Sequence, residues 1–160
     1  MQKIKISGLI VAGALLSGCA AKQEITSFEG DIPNSMCIAH HEEVRPGFLT
    51  ALEDALYKNG INSQVVSATY VKEHGEVNPK VNLEELKSCP AVLFYTAHWN
   101  WDLALYMSYA NIWITDSENK NRLAQASYIS RHGLDKFIDA EEKVHELVDS
   151  MVGSSTLASK

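Results

Sequence analysis

Pro46-Gly-Phe-Leu-Thr-Ala-Leu-Glu-Asp-Ala-Leu-Tyr-Lys-Asn-Gly60 decides how the rest of the chain is read. Phe48, Leu49, Leu52, Ala55 and Leu56 recur at the three- and four-residue spacing of one helix face. Pro46 suits a first helical turn, where a missing N–H leaves no bond unmade. Asn59-Gly60 ends the pattern, glycine being the residue that enters the left-handed cap conformation cheaply. On either side, Ser35-Met-Cys-Ile-Ala-His40 and Ile61–Tyr70 read as strands, the second rich in β-branched residues. Strand, helix and strand in succession place the two strands parallel in one sheet.

Beyond this unit, Lys72–Ser88 is polar and contains Gly75 and Pro79, so it is expected to be mostly loop, with one helical turn at Leu83–Leu86. Ala91–Trp99, Trp101–Thr115 and Arg122–Ser130 read as three further strands, with a polar turn at Asp116–Asn121. Trp101, Leu103, Leu105, Met107 and Tyr109 share one parity, whereas Ile112 and Ile114 have the other. A one-residue bulge near Ala110 reconciles them. Asp135–Val152 is the last helix, capped by Asp135, with Phe137, Ala140, Val144, Leu147, Val148 and Met151 along its stripe. The fold class that follows is α+β: a single two-layer domain of about five mostly antiparallel strands with two principal helices on one face. Ala20–Gly30 is polar and without periodicity, which suits a tether. The organisation expected is a leader over 1–18, a tether over 19–30, a domain over 31–153 and a tail over 154–160.

At the N-terminus, Lys3 and Lys5 precede an apolar run from Ile6 to Leu16. The run is shorter than the roughly 20 residues a membrane-crossing helix needs, so it reads as a secretory signal. Leu16-Ser-Gly-Cys19 resembles the lipobox of bacterial lipoproteins. That resemblance implies a diacylglycerol on the Cys19 thiol, cleavage before Cys19 and acylation of the new amino group. Ala20, rather than Asp, after the cysteine implies the outer membrane, with the domain in the periplasm. The formal charge is −6, and Lys3 and Lys5 fall in the leader, so the remainder is more acidic still. Nucleic acid and polybasic lipid binding are excluded on that ground, leaving acyl chains to hold the protein to the membrane.

Cys37 and Cys89 are left in a chain bound for an oxidising compartment, and an even number there favours a disulfide. Two buried free thiols are the alternative.

His40-His41-Glu42-Glu43 is the densest group of potential metal ligands. Adjacent histidines on a strand point to opposite faces, and a third ligand from His74, His98 or His132 has no placement in the sequence. A polar strand end is therefore expected there, with no metal and no cofactor. The segment Phe94–Trp113 holds all three tryptophans. Tyr95, Trp99, Trp101, Tyr106 and Trp113 are the candidate binding surface, some of them partly exposed, because two helices shield only one sheet face. The bland alternative is ordinary packing, since aromatic residues pair across strands. No Gly-x-Ser-x-Gly elbow, His-Glu-x-x-His pair or phosphate-cradling glycine loop is present, so no enzymatic activity is expected.

Val44–Leu56, Phe94-Tyr-Thr-Ala-His-Trp-Asn-Trp-Asp-Leu-Ala-Leu-Tyr-Met107 and Lys136–Val148 together resemble a family of small Gram-negative lipoproteins of unassigned function. The Tyr-Thr-Ala-x-Trp-x-Trp-Asp block is the most specific part. His98 departs from the uncharged residue usual there, and no activity is implied. The order of elements also looks like small envelope domains such as the N-terminal domain of TolB, a likeness of fold alone. The function expected is that of an outer-membrane lipoprotein whose periplasmic domain binds another envelope protein. The alternative is a module binding cell-wall glycan or a small molecule through its aromatic face. A flat exposed patch favours the first, and a concave site with converging polar groups favours the second.

Overall fold

In the computed structural model, which describes residues 21–131, 133 and 136–153, the chain runs β1 (Lys22–Thr26), β2 (Ser35–His40), α1 (Pro46–Lys58), β3 (Asn62–Glu73) and β4 (Glu76–Val81). It continues through α2 (Leu83–Leu86), β5 (Ala91–Asp102), β6 (Ala104–Asp116), β7 (Arg122–Ile129) and α3 (Ala140–Val152). The strands form one mixed sheet in the order β1-β7-β6-β5-β2-β3-β4. β2 pairs parallel with both β3 and β5, and every other pairing is antiparallel. The α+β class and the parallel β2–α1–β3 unit are as expected. Two strands were not: seven form, where five were expected.

β4 occupies part of the segment expected to be a loop. Pro79 argues against a central strand, but β4 is an edge strand, and there a missing N–H breaks no ladder. His74 and Gly75 turn the β3–β4 hairpin, both at positive φ, the combination that a two-residue turn matching strand twist requires. β1 lies in the expected tether. Its side chains are mostly exposed, so it carries no hydrophobic alternation, and its backbone bonds are supplied by β7, from Lys22 opposite Ile129 to Thr26 opposite Gln125.

The two long helices lie on one sheet face, as expected. Phe48, Ala51, Leu52, Ala55 and Leu56 of α1 and Val144, Leu147, Val148, Met151 and Val152 of α3 are buried there. They meet Ile38, Leu93, Tyr95, Met107, Ile112, Ile114 and Tyr128 in the main core. α3 begins later than its apolar pattern suggested. Its N-cap is Asp139, whose carboxylate accepts from the Glu142 amide at 3.0 Å. The expected cap, Asp135, lies outside the described residues. Phe137 precedes the helix and meets Tyr106 edge-on at 5.7 Å.

The bulge expected near Ala110 sits two residues earlier. Tyr109 opposes His98 and Met107 opposes Trp99, which leaves Ser108 as the extra residue. That insertion brings Met107, Ala110, Ile112 and Ile114 onto the helix side together. It also sends Tyr109 to the other face.

On that other face the long β3–β4 hairpin curls over the sheet and closes a smaller core of Cys37, Ala39, Val66, Leu86, Val92, Phe94 and Trp113. Cys37 and Cys89 are disulfide-bonded in this core, with α-carbons 5.6 Å apart. The bridge ties β2 to the turn after α2.

Candidate functional site

Curling β4 over the second face leaves a slot between that strand and β6–β7. Its deeper part, about 530 Å³, is walled by Glu76, Val77 and Asn78 of β4 and floored by Thr96, His98, Tyr109, Asn111, Trp113 and Arg122. Strand alternation places these floor residues together, because β5 and β6 present their non-helix parity here. The slot continues past Val77, Asn78, Trp113 and Arg122 into a shallower hollow of about 250 Å³ beside Pro79, Thr115 and Lys120. From Tyr109 to Thr115 the floor runs for roughly 20 Å, at about 3.3 Å per strand residue.

The floor is braced. Trp113 stacks on Phe94 at 5.7 Å, and the Arg122 guanidinium carbon lies 5.4 Å from the Trp113 ring centre. Arg122 donates to Gln125 Oε1 at 2.6 Å, and Gln125 donates in turn to Asn111 Oδ1 at 2.9 Å. His98 stacks on Tyr109 at 5.8 Å. Apolar ring edges, amides and one guanidinium thus line a trench open to solvent.

The five aromatic residues singled out in the sequence do not form one patch. Tyr95 is 1% exposed in the main core, and Trp113 is 5% exposed under the slot. Trp99 is half-buried, edge-on to Phe48 at 6.1 Å, with the Arg45 guanidinium carbon 5.7 Å from its ring. It floors a separate hollow of about 510 Å³ between the first turns of α1 and α3. Tyr106 is half-buried against Phe137. Trp101 is 74% exposed, next to Leu103 at 87%. Tyr95, Trp99 and Trp101 share one parity of β5 and differ in how far along the hairpin each lies, whereas Trp113 sits on the opposite face.

The His41 side chain turns into the fold. Its ring is buried, with Nδ1 3.0 Å from the Tyr95 carbonyl, and its backbone N–H donates to the Tyr95 hydroxyl at 3.1 Å. Burial lowers the His41 pKa from its ordinary value and raises those of Tyr95 and Tyr70. Among the described residues, metal-ligand spacing occurs instead at Asp54, Glu141 and His145. Glu141 and His145 are an i,i+4 pair, a signal present in the sequence; Asp54 joins them only through the packing of α1 on α3. His145 Nε2 lies 3.3 Å from Asp54 Oδ2, which itself pairs with Lys58 at 2.8 Å. Cys19 lies outside the described residues.

No family model matches the chain, and no curated protein matches it. Among solved structures it is similar to the PelC dodecamer from Paraburkholderia phytofirmans, at 14% identity and a TM-score of 0.48, over 80% of this chain and 91% of that one. It is also similar to TolB from Acinetobacter baumannii, at 12% identity and a TM-score of 0.48, over 81% of this chain and 30% of that one.

Proposed function

We propose that this protein is a lipid-anchored outer-membrane protein whose periplasmic domain works by binding an extended segment of another envelope protein, without catalysis. The observation that carries the binding reading is the open trench along β4. A roughly 20 Å floor accommodates about six residues of extended chain. β4 is an edge strand, and edge strands are the elements to which extended segments add in β-augmentation.

A second reading rests on the same trench. A linear glycan also fits a concave site with aromatic edges and amides, and Tyr109, Asn111 and Arg122 offer a stacking face and polar contacts. A photo-crosslinking amino acid at Asn78 in the living cell separates the two. A discrete protein adduct, absent when the same group replaces exposed Tyr57, is expected. Retention of the purified protein on peptidoglycan sacculi, without any protein adduct, would favour the glycan instead.

A further inference from the structure

We infer that the tip of the β5–β6 hairpin, Trp101-Asp-Leu-Ala-Leu105, rests in the interfacial region of the bilayer to which Cys19 anchors the chain. The inference relies on the lipoprotein reading for the anchor, but it concerns a different part of the molecule.

The hairpin outruns its neighbours. β7 ends at Ile129, opposite Tyr109, and Tyr109 opposes His98. Pairing of β5 with β6 nevertheless continues through Trp99–Met107 and Trp101–Leu105 to Asp102–Ala104. Five residues from His98 to Leu103 carry the tip roughly 16 Å past the end of β7. Past Trp99 and Met107, which pack with the main core, the extension exposes Trp101, Leu103 and Leu105, three large apolar side chains.

Leu103 breaks a local rule as well. It sits at φ 63°, in the left-handed region that glycine or asparagine occupies at lower cost. A leucine there is both strained and 87% exposed. Violations of that kind collect at functional positions.

The chain's N-terminal end identifies what the tip meets. β1 is antiparallel to β7 with Lys22 opposite Ile129, so its start points toward the same end of the sheet as the hairpin. Ala21 packs against the main core at that end. Cys19 is two residues earlier in the sequence, and two residues of chain span at most about 7 Å. A lipid on Cys19 therefore brings the membrane to the end from which Trp101 and Leu103 project.

Tip chemistry suits an interface. Tryptophan and leucine favour the boundary of headgroups and acyl chains. The charge at the tip, Asp102, is paired with Lys136, whose ammonium also lies over the rings of Tyr106 and Phe137. With no polybasic patch, the hairpin is a weak binder alone, and tethering makes its engagement intramolecular.

The test uses the full-length lipidated protein reconstituted in phosphatidylethanolamine–phosphatidylglycerol vesicles containing brominated lipid, with tryptophan emission as the readout. Mass spectrometry of the same sample reads the acyl groups on Cys19 independently. A second arm holds residues 19–160, carrying Cys19→Ser and an amino-terminal hexahistidine, on nickel-chelating lipids, so that the hairpin is tested even if Cys19 carries no lipid. Bromine-dependent quenching is expected in both arms, to be lost in Trp101→Phe, to fall at least several-fold in Leu103→Asp and to persist in Trp113→Phe. Quenching no greater in wild type than in Trp101→Phe overturns the inference. So does a photo-crosslinker at Leu103 that yields protein adducts rather than lipid adducts.

Discussion

The imidazole of His41 lies flat on the phenol ring of Tyr70, with ring centres 3.7 Å apart and planes within 4° of parallel. Tyr70 in turn donates to the Ala39 carbonyl at 2.9 Å. The end of β2 is thereby fastened to β3 and β5 through the buried His41 and Tyr95 and the half-buried Tyr70. Burial disfavours the imidazolium, so His41 binds its proton less readily when folded than when unfolded.

A pH dependence follows from that difference. As pH falls below about 6.5, the unfolded chain takes up a proton at this position before the folded one does, so stability present above that value is lost. The melting temperature is expected to drop between pH 7 and pH 5, and the slope to be shallower in His41→Gln. An identical slope in that variant counts against His41 as the group responsible.

The Cys37–Cys89 bridge closes a loop with a sequence separation of 52. Chain entropy assigns such a loop about 4 kcal/mol, from which native strain subtracts. Denaturant titration with and without reductant is expected to show a loss of that order, and the double Cys37→Ala, Cys89→Ala variant a similar one. Mass spectrometry of the non-reduced protein checks the pairing, and two freely alkylated thiols would refute it.

Trp113 and Trp101 are expected to respond in opposite ways to truncation. Trp113→Ala empties the second core beside Phe94 and is expected to cost about 3–5 kcal/mol. Trp101→Ala removes an exposed ring and is expected to stay within about 0.5 kcal/mol. Thermal unfolding of both measures the difference. A sharp loss for Trp101→Ala shows that the hairpin tip belongs to the core.

Leu103→Gly removes the left-handed penalty and is expected to stabilise the domain by about 1 kcal/mol in denaturant titration. An unchanged or lower stability means that Leu103 makes contacts which offset its backbone.

Labelled palmitate is expected in the wild-type chain and absent from Cys19→Ser, with the wild type in the outer-membrane fraction. Equal labelling of both refutes acylation at Cys19, and recovery mainly in the inner membrane refutes the sorting read from Ala20.

What the sequence by itself determined is whatever repeats locally. The apolar stripe from Phe48 to Leu56, bounded by Pro46 and Gly60, specifies α1, and with it the crossover that makes β2 and β3 parallel. The opposed parities of Met107 and Ile112 require a bulge between them, because side chains alternate strictly along a strand. Tertiary structure decided the remainder. β1 has no hydrophobic signature, and β4 has only Val77, Pro79 and Val81 in alternation with a proline among them; each is an edge strand made by the backbone groups of a neighbour, and a partner's bonds leave no trace in the strand's own residues. The bulge lies at Ser108 because both cores must be filled at once. That one-residue choice sends Tyr109 to the trench and Met107 to the helices. The trench exists only because β3 and β4 curl over the second face, which brings Asn78 opposite Trp113 across 35 positions of sequence. Packing between distant segments is what assembles a surface, and local propensity does not encode it.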